Sequence, residues 1–245
     1  MWLKGIFGSK EDVFAKHDPS YAFRAAAEKD DLEQVGNMLK HNPRLAICKD
    51  SDGWATLHGA ASRDQIKLIE LLLSHKADVN VRNLFDVTPL HRAVITGRRD
   101  AAKFLLSKNA NINAKNKDGR TPLHYAVDGL WTEMIGLLLD YRPDIEAKDK
   151  DGMTALHLAV TKERRQAIET LLDNRADIEA VDNGGKTPLH IAARNGCCQE
   201  ARLLLQRKAN PDSKDSSGNT PQHYSEYYGY KGWPEFVRQH ATDIR

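Results

Sequence analysis

A fixed period governs this chain. Thr88-Pro89-Leu90-His91 recurs as Thr121-Pro122-Leu123-His124 and Thr187-Pro188-Leu189-His190. Variants stand at Ala55-Thr56-Leu57-His58, Thr154-Ala155-Leu156-His157 and Thr220-Pro221-Gln222-His223. The starts fall at 55, 88, 121, 154, 187 and 220, each 33 residues apart. Leucine-rich runs keep the same register, among them Leu71-Leu72-Leu73, Phe104-Leu105-Leu106, Leu137-Leu138-Leu139 and Leu203-Leu204-Leu205. Two residues before the Thr slot stands Gly53, Gly119, Gly152, Gly185 or Gly218, as a tight turn with positive φ requires. Asp86 takes that place once, and Asp tolerates the left-handed region. A unit of this length cannot bury an apolar face alone, so neighbours must stack into a solenoid.

These residues resemble the ankyrin repeat, whose pattern is T-P-L-H, a helix pair, then a β-turn. The resemblance covers about residues 20 to 245 and implies an all-α solenoid with short β-hairpin or β-turn links. Pro at the first helical turn is favourable there because its missing N–H has no partner anyway, and the preceding Thr is placed to cap. The expected division is an arm at 1–19, a capping repeat at 20–52, five full repeats and a closing cap at 218–245. The full repeats are 53–85, 86–118, 119–151, 152–184 and 185–217. The first unit fits with one residue inserted near Asn42-Pro43, and carries Asn37 where Leu71 would sit. In the last, Gly232, Trp233 and Pro234 interrupt the second helix.

Composition narrows function further. The 36 basic and 34 acidic residues nearly cancel, so no strong field gathers nucleic acid or an anionic membrane. Cys48, Cys197 and Cys198 make no disulfide framework, and there is no Asn-x-Ser/Thr sequon. With no signal-peptide core and no apolar run of about 20 residues, the expectation is a soluble cytoplasmic protein.

Several residues invite a chemical reading. His58, His91, His124, His157, His190 and His223 share one slot, so the repeat spreads them in a ladder instead of gathering them on a metal. Each is expected to form a structural hydrogen bond to the neighbouring turn. Gly184-Gly185-Lys186-Thr187 lacks the earlier Gly of a phosphate loop, having Ala180 there. Neither cofactor nor metal is expected. Cys197 stands where a helix N-terminus lowers a thiol pKa, while Cys198 sits in an apolar slot and is expected in the core. Lys76, Lys108, Arg142, Arg175, Arg207 and Lys208 follow the second helices. They either complement helix C-termini or form a stripe for an anionic ligand. The arm carries Trp2, Leu3, Ile6 and Phe7 at helical spacing, suited to covering the first unit, a partner or a membrane surface.

The resemblance implies that a partner contacts turn tips and the inner-helix face. The tip slots include Trp54, Leu84, Phe85, Val87, Arg120, Met153 and Lys186. The inner slots include Arg92, Tyr125, Leu158 and Arg194, and in the last unit Tyr224, Tyr227 and Tyr228. Trp54 with Leu84, Phe85 and Val87 makes an apolar group on adjacent tips, read as an interface rather than as tips covering one another. The tyrosines suit either binding or sealing the end of the stack. The leading expectation is a stand-alone, non-enzymatic adaptor, inhibitor or sequestering protein. The alternative is a regulatory sensor that binds nucleic acid or an anionic ligand along the basic stripe.

Overall fold

The computed structural model describes residues 19–229. The arm residues Trp2, Leu3, Ile6 and Phe7, and Gly232, Trp233 and Pro234, lie outside them. Helices come in pairs, as the period requires. The first helices of successive units are α1 (Pro19–Glu28), α3 (Thr56–Ser62), α5 (Pro89–Ile95), α7 (Pro122–Asp128), α9 (Ala155–Thr161), α11 (Pro188–Asn195) and α13 (Pro221–Tyr227). The second helices are α2 (Leu32–His41), α4 (Ile66–Ser74), α6 (Arg99–Ser107), α8 (Thr132–Asp140), α10 (Arg165–Asp173) and α12 (Cys198–Gln206). A short 3-10 helix, Pro43–Ile47, occupies the place of the inserted residue.

The stack has two helical layers. First helices pack on first helices, from α1 on α3 through to α11 on α13, and second helices pack likewise from α2 on α4 to α10 on α12. Leu72, Leu105, Leu138, Leu171 and Leu204 recur every 33 residues along the second layer, all fully buried. In the first layer Leu57, Leu90, Leu123, Leu156 and Leu189 do the same. One continuous core results, which no single unit could enclose.

The links are turns, with one isolated bridge, Lys49 to Ala55, among the described residues. An Asp or Asn begins each tip: Asp50, Asn83, Asn116, Asp149, Asp182 and Asp215. Its side chain accepts from backbone N–H groups two and four residues on, as Asn83 Oδ1 does from Phe85 and Val87, at 2.9 Å each. Tips also bond one another: Leu84 N–H donates to Asp52 O at 2.9 Å and Lys117 N–H to Phe85 O at 3.0 Å. The tips are therefore braced by the leading Asp or Asn side chain and by backbone bonds between tips.

Three left-handed columns run through the stack, of which the sequence reading identified the one at the tips. The tip column is as expected, Gly53 at φ 79° and Asp86 at 58°. After the second helices come Lys76, Asn109, Arg142, Arg175 and Lys208. Lys108 and Arg207 precede that column by one residue, so the six basic residues do not share one strained slot. The third column lies between the paired helices: Asp30, Asp64, Gly97, Leu130, Glu163, Gly196 and Gly229.

Leu130 is the anomaly there, at φ 63° and 62% exposed. A γ-branched side chain is costly in this region and gains little by burial here. Leu130→Gly is expected to stabilise the protein by about 0.5 kcal/mol or more, set by strain relief less the greater entropy of Gly unfolded. A denaturant midpoint at unchanged slope measures it; a lower midpoint would show that Leu130 makes a contact worth more than its strain.

Candidate binding surface at the tips and first helices

The interior histidines are part of the frame that positions the surface. His58, His91, His124, His157 and His190 are buried, each with Nε2 at 2.9–3.1 Å from a carbonyl 29 residues on, in the next tip. The accepting carbonyls belong to Val87, Arg120, Met153, Lys186 and Asn219. Nδ1 accepts from the backbone N–H of its own unit's Thr slot, at 3.1 Å from Ala55 and 3.2 Å from Thr88. Both ring nitrogens are thus engaged, which fixes the neutral Nε2–H tautomer. Thr hydroxyls lie 2.9 Å from Nδ1 in three units and 2.8 Å in a fourth. They bond helix N–H groups only at 3.4–3.5 Å, in two units, so capping is weaker than the sequence suggested. His223 departs from the ladder: it is exposed and meets Tyr224 edge-on at 6.1 Å.

On this frame the expected apolar tip group separates. Leu84 and Phe85 are 56% and 54% exposed. Val87 is buried, because its carbonyl receives His58 and its side chain turns inward, so it offers no surface. Trp54 is half-buried and turned toward the helices: its ring lies edge-on to His58 at 5.2 Å, with the Arg92 guanidinium 5.1 Å above it. The outward group is Leu84 and Phe85; Trp54 and Arg92 form a second, inner feature.

The inner-helix slots also divide. Leu158 is buried in the core, a second correction, since α9 packs tightly against both α7 and α11. Arg120 stacks 6.0 Å from the Tyr125 ring and faces Asp128 at 3.6 Å and Asp149 at 3.9 Å. Lys162 reaches Asp128 at 3.1 Å, so these charges largely cancel. Burial raises the Tyr125 pKa, against the opposing Arg120 charge. Its hydroxyl accepts from Asn116 at 2.8 Å. Met153 and Lys186 are half-buried, and Arg194 is exposed. Tyr224 donates to Asp215 at 2.6 Å, while Tyr227 and Tyr228, 77% and 48% exposed, meet each other edge-on at 5.1 Å.

The cysteine assignment reverses. Cys197, just before α12, is 5% exposed, and burial with the nearby Glu163 and Glu200 charges pushes its thiol up to about 11. Cys198, on the first turn, is the exposed one. Among the described residues no three His, Cys, Asp or Glu side chains gather as for a metal ion, and no helix is long and apolar enough to cross a membrane.

Two features escaped the sequence reading. Leu130 and Trp131, 62% and 40% exposed, form an apolar spot in an inter-helix loop. The Leu at a slot held elsewhere by Gly, Asp or Glu was the available signal. The other is a cavity of about 150 Å³ between the first units, with Arg24, Trp54, Thr56, Arg63 and Arg92 in its walls. Residues from three units meet there, which no local pattern reveals.

Comparison with known proteins gives a consistent picture. The family described as Ankyrin repeats (3 copies) matches residues 23–116, 108–182 and 174–244. The 2-5A-dependent ribonuclease of Mus musculus is 34% identical over 64 residues, 26% of this chain and 9% of that protein. Its Homo sapiens counterpart is 31% identical over 72 residues, 29% of this chain and 10% of that protein. Human Protein phosphatase 1 regulatory subunit 27 is 35% identical over 73 residues, 30% of this chain and 47% of that protein. The matches thus span from about a tenth to about half of these relatives. Among solved structures, the ankyrin repeat domain of Bcl-3 superposes with TM-score 0.76 at 24% identity, covering 84% of this chain and 96% of that one. That likeness is one of fold.

Proposed function

The chain belongs to the ankyrin-repeat family, and from that premise we propose that it is a non-catalytic protein-binding module, an adaptor, inhibitor or sequestering protein. The observation that carries this reading is the tip at Leu84 and Phe85. Two large apolar side chains stand more than half exposed on a turn braced by Asn83 and by backbone bonds to both neighbouring tips. A rigid apolar anchor loses little entropy on binding and gains much from desolvation. One relative's name, a phosphatase regulatory subunit, describes a protein acting through another protein.

Phe85→Ala is expected to weaken partner binding by about 2 kcal/mol, roughly thirtyfold in dissociation constant. Its melting temperature should barely change, because the substitution keeps both backbone hydrogen bonds of the tip. Partners captured by the wild-type chain and measured by calorimetry against the variant supply the test. Arg142→Glu with Arg175→Glu is the control. If that pair abolishes binding while Phe85→Ala binds normally, the interface lies on the opposite edge.

The alternative, an anionic ligand along the basic stripe, has less support. Asn109 interrupts the column, Arg207 is paired with Asp173 at 2.8 Å, and Lys108 lies over the Phe104 ring at 5.2 Å.

A further inference from the structure

The cavity of about 150 Å³ opens where α1, the tip holding Asp50 and Trp54, α3 and α5 converge. Its charges are unevenly matched. Arg24 is 4.0 Å from Asp50 and Arg63 is 3.2 Å from Glu28, so both carboxylates have a cation. Arg92 has no carboxylate within 4.0 Å among the described residues; one face lies on Trp54, which leaves the N–H donors at its edge. Burial and the neighbouring Arg63 charge both disfavour its cationic form. An anion arriving there would relieve both.

A second observation comes from the register. This unit reads Ala55-Thr56 where four others read Thr-Pro and one reads Thr154-Ala155, so its Thr stands one residue late, in the Pro slot. Elsewhere the Thr hydroxyl meets the ladder imidazole, as Thr88 meets His91 at 2.9 Å. Thr56, 7% exposed and in the cavity wall, keeps a buried hydroxyl with no hydrogen-bond partner. A buried unpaired hydroxyl is disfavoured; a turn of Thr56 about χ1 to another staggered rotamer would present it to an acceptor in the cavity and remove the penalty.

We propose that this cavity receives a carboxylate side chain of a protein partner, taken by the edge of the Arg92 guanidinium and the hydroxyl of Thr56, with Trp54 as the flat wall. The proposal rests on the protein-binding reading and names the chemistry of one contact. Three guanidiniums against two carboxylates leave one net positive charge, which matches a single carboxylate. A phosphate dianion would carry one negative charge more than the cavity matches. The volume also suits one side chain, since cavities of about this size hold a benzene-sized group. Leu84 N–H bonds Asp52 O at 2.9 Å, so the apolar tip adjoins the cavity and one protein segment can fill both.

The test uses random peptides displayed on phage and selected on the immobilised full chain, followed by synthetic peptides. Selected peptides are expected to carry an acidic residue beside apolar ones. Exchanging that acid for its amide should cost at least tenfold in affinity, about 1.4 kcal/mol. Arg92→Gln should lose the same factor and bind acid and amide forms alike. Thr56→Val should weaken the acidic peptide severalfold while leaving the melting temperature unchanged or higher, which separates lost binding from lost folding. Equal affinity for acid and amide peptides on the wild-type chain overturns the proposal, as does a preference that survives Arg92→Gln. If peptides are selected that depend on Phe85 and ignore Arg92, the cavity assignment falls and the protein-binding reading stands. Adenosine triphosphate, the phosphate probe, should not compete; tight binding that Arg92→Gln removes, with no acidic peptide selected, overturns the proposal in favour of a phosphate ligand. A selection yielding no peptide at all counts against both readings.

Discussion

Acidification from neutral pH to about pH 4 is expected to unfold the stack cooperatively, through its own histidine ladder. Burial holds the His58 and His91 pKa values down at about 4, from an ordinary 6.5. The carbonyl hydrogen bonds from Val87 and Arg120 oppose the shift without cancelling it. His124, His157 and His190 are lowered by the same burial. The geometry adds a reason: a proton on Nδ1 would face the backbone N–H that now donates to it.

Between about pH 6.5 and 4 the unfolded chain binds protons at these sites and the folded chain does not. Stability therefore rises with pH across that window. It is whole above about 6.5 and falls away as pH drops toward 4. Each of His58 and His91 contributes about 3 kcal/mol. Two such terms, joined by three of the same sign, compare with the whole stability of a typical domain, about 5–15 kcal/mol. Urea titrations at stepped pH measure the effect. A free energy of unfolding that stays flat from pH 6.5 to 4.5 would mean that the folded ladder accepts protons.

The second large effect concerns the second-layer core. Leu138 is fully buried in α8, between the matching leucines of α6 and α10. Leu138→Ala is expected to destabilise by about 2–5 kcal/mol, the lost transfer free energy plus a cavity that two rigid neighbours cannot close. Asn37, the counterpart of Leu71 in the first unit, is exposed. Asn37→Ala is expected to stay within about 0.5 kcal/mol. Thermal melts of both variants beside the wild type give the comparison; equal costs would contradict the register that places them in corresponding helices.

The sequence by itself determined the architecture, because a helix pair of 33 residues has only its neighbours to bury against. The period also made the histidines a ladder, and the tip glycines announced their left-handed backbone. What a local pattern cannot contain is which side chains of a turn face outward. Val87 and Leu158 read as surface and are buried, Val87 in a tip whose carbonyl receives His58 and Leu158 in a helix packed between α7 and α11. Trp54 read as part of the outward tip; His58 and Arg92 hold it on the inner side. Cys197 and Cys198 exchanged places for a similar reason: an N-terminal position marks the dipole but not which residue of the turn tucks under the helix. The cavity was least legible of all. Arg24, Thr56 and Arg92 are far apart in the chain and sit in three different units. Only stacking brings them together, and only there does the one-residue slip at Ala55-Thr56 leave a hydroxyl without a partner.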